Sequence, residues 1–151
     1  MIIMETTRDF TVTTTIVFGN KVLLHFHKSL KKWLPIGGHI DRDELPEDAA
    51  RREAKEEAGI DIVLYNPDQF EKLKEGKYLV RPACLMLQDI NEHHQHIDFG
   101  YYATTNTFDL KPSDGEAKDL HWFTAEEIKV LDAPDNVKSR ALDALKILGN
   151  K

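Results

Sequence analysis

The chain has 151 residues and a formal net charge of −6 at pH 7, and 41% of its residues are hydrophobic. This length predicts a single domain, residues 1–151, that is large enough to bury its own core. The acidic balance argues against a nucleic-acid partner, because a grip on a phosphate backbone needs clustered positive charge. The sequence holds no apolar run of the length that crosses a bilayer, so we expect no membrane span.

The N-terminal segment and the cysteine content predict the compartment. Residues 1–10 lack both the basic region and the long apolar stretch of a secretory signal peptide. Cys84 is the single cysteine and lies in an apolar stretch, which favours a small core residue in a reducing environment. We therefore expect a cytoplasmic protein that is a monomer or a homodimer.

Strands are predicted wherever β-branched and apolar residues cluster between turn signals. These segments are residues 11–18, 22–26, 33–35, 60–65, 78–88, 96–106 and 118–123. The sequence Phe18-Gly19-Asn20-Lys21 predicts a tight hairpin turn between the first two. Trp33 could stack on a base, although packing in the core is the alternative explanation.

Signals at both ends predict a helix over residues 46–58. Pro46 suits the first turn of a helix, because its missing N–H is one of the unpaired donors there. Gly59 suits the left-handed position just past the C-terminus. Between them the spacing allows about three turns of helix.

Three glutamates project from one face of this predicted helix. Glu53 lies three residues before Glu56 and four before Glu57, and these spacings share a helix face. Like charges in one stripe repel one another unless a cation lies against them. Oxygen-only ligands suit a hard divalent cation, Mg²⁺ or alternatively Mn²⁺, more than zinc. An exposed charged helix without a metal is the alternative explanation.

Two further helices are predicted near the C-terminus. Thr124 and Glu127 form a capping box that opens a short helix through Leu131. Asp135 is predicted to cap a last helix, whose apolar residues lie three or four positions apart. Gly149 is predicted to end it.

The glutamate helix is part of a longer pattern that carries a family resemblance. Seven residues stand at fixed offsets: Gly38, Glu44, Arg52, Glu53, Glu56, Glu57 and Gly59. They resemble the box of the Nudix hydrolases, G-x5-E-x7-R-E-U-x-E-E-x-G-U, in which U is a bulky aliphatic residue. Ala54 is smaller than the residue usual at the first U position. The resemblance covers essentially the whole chain and implies the Nudix fold, an α/β/α sandwich around a mixed β-sheet.

The resemblance also assigns metal ligands and catalytic residues. The implied ligands are the backbone carbonyl of Gly37 or Gly38 and the carboxylates of Glu53, Glu56 and Glu57. One of the glutamates, with Glu53 and Glu56 as the candidates, orients or deprotonates the attacking water. Arg52 holds a carboxylate in place, and Glu44 supports the loop-helix geometry through Arg52.

The implied reaction is attack of water on one phosphorus of a diphosphate linkage. The expected substrate is a small-molecule nucleotide, a nucleoside diphosphate linked to another group, with a (d)NTP favoured. A Nudix-fold nucleotide-binding or regulatory module without catalysis is the alternative, but such modules typically lose box glutamates. A third possibility, isomerisation of isopentenyl diphosphate, needs an active-site cysteine, and Cys84 in an apolar strand fits this poorly.

Outside the box, two acidic residues are candidates for a further ligand or base. Glu116 precedes the strand predicted at 118–123 and is similar to a glutamate that many Nudix enzymes carry there. Asp98 is the second candidate. A solvated or turn-capping carboxylate is the alternative for both.

Three further positions are candidates for substrate binding or identification. His39 follows the glycine pair and could donate to a phosphate. Asn136 resembles the place where mutator-type diphosphatases read a purine edge, with helix capping as the alternative. Tyr78 is similar to a tyrosine of diadenosine polyphosphate hydrolases, but one tyrosine is a weak signal and a core position is favoured for it.

The segment His93-His94-Gln95-His96 is interpreted as a solvated turn, because near-adjacent histidines in a polar loop seldom converge on one ion.

Overall fold

The computed structural model describes residues 3–113 and 119–150, which contain eight strands and three helices. In chain order the elements are β1 (Thr7–Phe18), β2 (Lys21–His27), β3 (Lys32–Leu34), β4 (Ile36–His39), α1 (Pro46–Ala58), β5 (Val63–Leu64), β6 (Cys84–Asn91), β7 (His94–Thr104), β8 (Asp119–Thr124), α2 (Ala125–Lys129) and α3 (Asp135–Leu148). The eight strands form one sheet.

The strand β1 is the centre of this sheet. It pairs antiparallel with β2 and β4, and parallel with β7 along nearly its whole length. The strand β2 also pairs with β3 and β8, and β7 also pairs with β5 and β6. The sheet is therefore mixed, as predicted, and its one parallel pair among the described strands is β1 with β7.

Helices cover both faces of the sheet because β1 alternates its apolar side chains between the faces. Val12 and Ile16 pack on the face that α1 covers, where four alanines of the helix are fully buried: Ala49, Ala50, Ala54 and Ala58. Val17 packs on the opposite face against α2 and α3. This arrangement confirms the predicted α/β/α sandwich. The small Ala54 suits a helix that lies close to the sheet.

Local sequence signals determine several element ends as predicted. The helix α1 spans Pro46–Ala58, with the proline in its first turn and Gly59 in the left-handed conformation at φ 69°. Phe18 pairs with Lys21 across the predicted hairpin turn. Thr124 and Glu127 form the predicted capping box, with Glu127 Oε2 accepting from the Thr124 N–H at 2.7 Å. The last helix ends at Gly149.

The strand predicted over residues 78–88 is wrong in its first half, because β6 begins only at Cys84. The Val80 N–H donates to the Glu47 carboxylate at 2.8 Å instead of to a neighbouring strand. Pro82 has no N–H to donate to a ladder. Tyr78 is exposed and stacks on Phe70 at 4.1 Å between ring centroids, so its predicted core position is wrong.

Other predicted boundaries also differ from the structure, including the end of the short helix, which is Lys129 and not Leu131. The segment predicted as a strand over 60–65 pairs only at Val63–Leu64. The predicted cap of α3 is wrong, because Asp135 is the first helical residue, Pro134 precedes it, and no side chain caps the helix. The strand predicted over 96–106 begins two residues earlier, at His94, and ends at Thr104, so the solvated turn predicted for the histidine segment is wrong from His94 onward.

None of the helices in the described ranges combines the length and apolar character that a membrane span requires. A cytoplasmic location and a single domain over the whole chain stay predictions.

Replacing Gly59 by alanine is expected to lower the free energy of unfolding by more than about 2 kcal/mol. The residue has φ 69°, and an added Cβ would overlap the backbone carbonyl of Lys111, which cannot move aside cheaply. Gly76→Ala is the matched control, because Gly76 has φ 79° but open space around it. Urea unfolding would measure both variants, and equal losses of stability would contradict the packing argument.

Candidate functional site

The glycine pair of β4 lies where α1 meets the central strand. Gly37 and Gly38 pair with Thr13 and Val12 of β1, and a Cβ on Gly37 would overlap the Val12 carbonyl oxygen. A Cβ on Gly38 would overlap the Glu53 carboxylate. The pair is therefore glycine because backbone and carboxylate occupy the space that side chains would fill.

The structure brings two of the three predicted carboxylates to this pair. Glu57 is buried, and its Oε2 lies 3.4 Å from the Gly37 N–H. Glu53 is nearly buried and packs against Gly38. Glu56 is about half exposed and contacts Arg52. The predicted shared face of α1 thus places acidic side chains beside the glycine backbone.

Arg52 links the helix, the carboxylates and the loop that precedes them. Its guanidinium donates to both oxygens of Glu44, at 2.8 and 2.9 Å. It also donates to Glu53 Oε1 at 2.9 Å and to Glu56 Oε2 at 3.2 Å. A further hydrogen bond reaches the carbonyl of His39 at 3.0 Å. One side chain therefore holds the loop and orients two acidic groups, since a planar guanidinium has five donors in a fixed geometry.

These hydrogen bonds shift two pKa values. The hydrogen bond from Arg52 keeps the pKa of Glu44 below its ordinary value, although burial opposes this. The same bond raises the pKa of Arg52. The Asp41 N–H also donates to Glu44, at 3.0 Å. Glu44 is therefore ionised at neutral pH and held by donors on both sides. The contact between Arg52 and Glu44 is the one expected to support the loop-helix geometry.

Glu44→Gln is expected to lower the free energy of unfolding at pH 7 by about 1.5–3 kcal/mol, because it removes the charge from a paired, partly buried carboxylate. The folded pKa lies below the ordinary 4.5, so this stability is present above pH 4.5 and is lost as the pH falls through the folded value. Urea unfolding of both proteins at neutral and acid pH measures the difference. A difference that stays constant into acid would contradict the assignment.

A cavity of about 480 Å³ opens next to the glycine pair. Its walls come from β1, β2, β3, β4, β6, β7 and α3. Gly37, Gly38 and His39 form one part of the wall, and Asn136 and Arg140 form the part that α3 contributes. The glycine pair therefore contacts the carboxylates of α1 and also borders a space large enough for a small molecule.

Asp98 lies on the wall of this cavity and is buried. Its two oxygens accept hydrogen bonds from the hydroxyls of Thr11, at 2.8 Å, and Thr13, at 2.6 Å. Both threonines also line the cavity and were not predicted as functional residues. Their signal in the sequence is the alternation of polar residues at every second position from Thr7 to Thr15, which places one set on one face of β1.

Two more wall residues differ from the sequence analysis. Arg140, which the sequence analysis missed, brings a positive charge to the cavity. Cys84 was predicted as a core residue, but it is only partly buried and lies on the wall. Burial raises the pKa of its thiol, so the group stays protonated at neutral pH. This argues against Cys84 as a nucleophile or base.

The remaining predicted residues fall in different places. His39 and Asn136 line the cavity, as a role in substrate binding requires. Trp33 packs against Phe26 and Phe123 and is not among the residues that line the cavity. This packing matches the core alternative for Trp33. Glu116 lies outside the described residues.

Comparison with known proteins shows the class of this chain. A sequence model of the NUDIX domain matches residues 9–145. The chain therefore belongs to the Nudix hydrolase family, as the box from Gly38 to Ile60 predicted.

Solved and curated relatives agree with this. A NUDIX-family hydrolase from Clostridium perfringens is 44% identical and superposes with a TM-score of 0.84. The match covers 94% of this chain and 99% of that one. The curated protein Nudix hydrolase 19, chloroplastic, from Arabidopsis thaliana is 29% identical over 101 residues, 66% of this chain. The chain spans only about a fifth of that protein, since the match covers 20% of it.

A third relative shows the fold alone. The NUDIX domain of Shewanella oneidensis NrtR, solved in complex with ADP ribose, is 17% identical and superposes with a TM-score of 0.67. The match covers 94% of this chain and 89% of that one.

Proposed function

We propose that this chain is a divalent-cation-dependent pyrophosphohydrolase that cleaves the diphosphate linkage of a nucleoside diphosphate joined to another group. A (d)NTP or a related nucleotide is the proposed substrate. One observation carries the proposal: Glu53 and Glu57 lie directly against Gly38 and Gly37, and the same glycine pair forms part of the wall of the cavity. Acidic ligands and a space for the substrate therefore meet at one backbone segment.

The donor set fits a hard cation. The side chains of Glu53, Glu56 and Glu57 and a carbonyl of the glycine pair offer only oxygen atoms, which Mg²⁺ and Mn²⁺ prefer. Glu116 is proposed as an additional ligand. The cation, when bound, offsets charge on the substrate phosphates and lowers the pKa of water.

The chain's own residues then orient the reaction. Arg52 donates a hydrogen bond to Glu53 Oε1. The other oxygen, Glu53 Oε2, is therefore the candidate atom to accept the proton of the attacking water. Glu56 is the second candidate for this role. Arg52 acts as a positioning residue, because its contacts go to carboxylates and to the His39 carbonyl. The new bond joins the water oxygen to one phosphorus of the diphosphate. The bond between that phosphorus and the bridging oxygen breaks, and the bridging oxygen leaves with the other phosphate.

The cavity supports a nucleotide as the substrate. Its volume of about 480 Å³ falls within the roughly 300–1,000 Å³ of small-molecule sites. His39 beside the glycine pair is proposed to donate to a phosphate, and Arg140 adds a cation to the same wall. Asn136 is proposed to contact the base, because an amide offers both a donor and an acceptor to a purine edge.

The binding-module alternative is kept because the NrtR domain was solved with ADP ribose. The intact set of box glutamates, Glu44, Glu53, Glu56 and Glu57, favours catalysis over binding alone. The relationship to the Clostridium perfringens hydrolase supports the same choice.

A substrate panel would test the proposal and identify the substrate. The purified protein would be incubated with Mg²⁺, then Mn²⁺, and normal and oxidised (d)NTPs, ADP-ribose, nucleotide sugars, NADH and diadenosine polyphosphates. Chromatography is expected to show a nucleotide product from at least one compound, only when the metal is present. Tight nucleotide binding without product from any compound would contradict hydrolysis and favour the binding module.

A further inference from the structure

A second group of possible metal ligands lies at the start of the parallel pair β1–β7. Asp9 stands opposite His96 in the register, and His94 lies two residues before His96 on the same strand. Their ligand atoms all lie within 4.8 Å of one another. We name Asp9, His94 and His96 the Asp9 cluster. Alternation along β7 and the pairing with β1 bring these side chains to one face.

The His94 ring lies between Thr7 and the carboxylate of Asp9. The Thr7 oxygen lies 2.9 Å from His94 Nδ1. On the other side of the ring, His94 Nε2 lies 3.2 Å from Asp9 Oδ2. An imidazole nitrogen and a carboxylate oxygen at this separation can bind one ion together.

A third imidazole reinforces this arrangement. His39 Nε2 lies 3.3 Å from the same Asp9 oxygen, and its ring centroid is 5.0 Å from that of His96.

We propose that Asp9, His94 and His96 form a binding site for a divalent transition-metal ion, with Zn²⁺ as the representative. Two imidazole nitrogens and one carboxylate oxygen are a donor set that Zn²⁺ accepts, with a fourth position open. The glutamates of α1 offer oxygen alone and suit Mg²⁺. The two sites share no ligand, so each can be filled without the other.

The position of the Asp9 cluster indicates what the ion does there. His96 lines the cavity, as does His39, which contacts Asp9. An ion held by Asp9 and the two histidines would join the starts of β1 and β7, whose first residues pair in the sheet. It would therefore stiffen the rim of the cavity on the side of the glycine pair.

Zinc binding to matched variants would test the site. Isothermal titration with Zn²⁺ would be run in excess Mg²⁺, so that the glutamates are occupied. We expect one Zn²⁺ per chain in the wild type, and affinity weaker by on the order of 100-fold in His94→Ala and His96→Ala. His93→Ala is the matched control, because it removes a neighbouring imidazole that is outside the cluster. It is expected to bind as the wild type does.

Glu57→Gln separates the two metal sites. This variant is expected to bind Zn²⁺ as tightly as the wild type, and a loss of Zn²⁺ there would place the ion on the glutamates and overturn the proposal. Equal affinities of His94→Ala, His96→Ala and His93→Ala would overturn it as well.

Nuclear magnetic resonance of the wild-type protein tests the site without relying on the folding of variants. Zn²⁺ is expected to shift the ring nitrogens of His94 and His96, and unchanged resonances would contradict the site.

Discussion

Glu57→Gln is expected to lower turnover by about two to four orders of magnitude while the protein stays folded. The substitution keeps the shape of the side chain but replaces a charged oxygen ligand by a neutral amide. Glu57 is only 4% exposed and its carboxylate lies at the Gly37 N–H, so no solvent-exposed group can easily take its place. Steady-state kinetics over a range of Mg²⁺ concentrations would measure the effect on the best substrate of the panel.

The matched control for this variant is Glu92→Gln. It makes the same chemical change in a side chain that is 94% exposed, and it is expected to leave turnover unchanged. Circular dichroism melts of both variants would show that each is folded. Wild-type turnover with wild-type Mg²⁺ dependence in Glu57→Gln would rule out Glu57 as a metal ligand.

Gly38→Ala is expected to lower turnover by about 100-fold with little loss of stability, because a shift of about 1 Å in a reacting group has an effect of that size. The new methyl group would overlap the end of the Glu53 side chain, which can rotate away. The carboxylate would then leave its place beside Arg52 and the glycine pair. Kinetics and urea unfolding together would separate the two effects.

Gly37→Ala is the comparison for this experiment, because it is expected to act mainly on stability. Its methyl group would overlap the backbone carbonyl of Val12, so β4 must move away from β1. We expect a loss of stability larger than that of Gly38→Ala. Wild-type turnover in a folded Gly38→Ala protein would contradict the position assigned to the Glu53 carboxylate.

Elements whose ends depend on adjacent residues could be predicted from the sequence. The helix α1 has the predicted bounds because Pro46 favours a helix start and Gly59 supplies the left-handed end. The turn between β1 and β2 and the capping box at Thr124 are equally local. In each case a few neighbouring residues determine the backbone, and the rest of the fold does not oppose them.

Elements that depend on distant partners could not be predicted. Residues 78–83 have the composition of a strand, but the Glu47 carboxylate on α1 takes the N–H of Val80. His94 has the polarity of a loop, but the parallel pairing with β1 makes it part of a strand. Tertiary contacts override local preference in both segments.

The same distinction applies to the site. The box residues could be found from their spacing, because one continuous segment, from β4 through α1 to Gly59, carries them all. Arg140 could not be found in this way, because α3 meets the cavity wall only in the folded chain and nothing in its own segment marks this residue. Thr11 and Thr13 have only the alternation of polar residues along β1, which places them on one face but does not show that Asp98 accepts their hydrogen bonds.

Hydrolysis in ¹⁸O-labelled water tests the central claim most directly. The wild-type protein would be incubated with its best nucleotide substrate in labelled water, with Mg²⁺ and with a chelator. Mass spectrometry is expected to find one labelled oxygen in one of the two phosphate-bearing products. This label is expected only with Mg²⁺ and not with the chelator. Nucleotide that stays intact and bound, with no label incorporated under either condition, would contradict hydrolysis by this site.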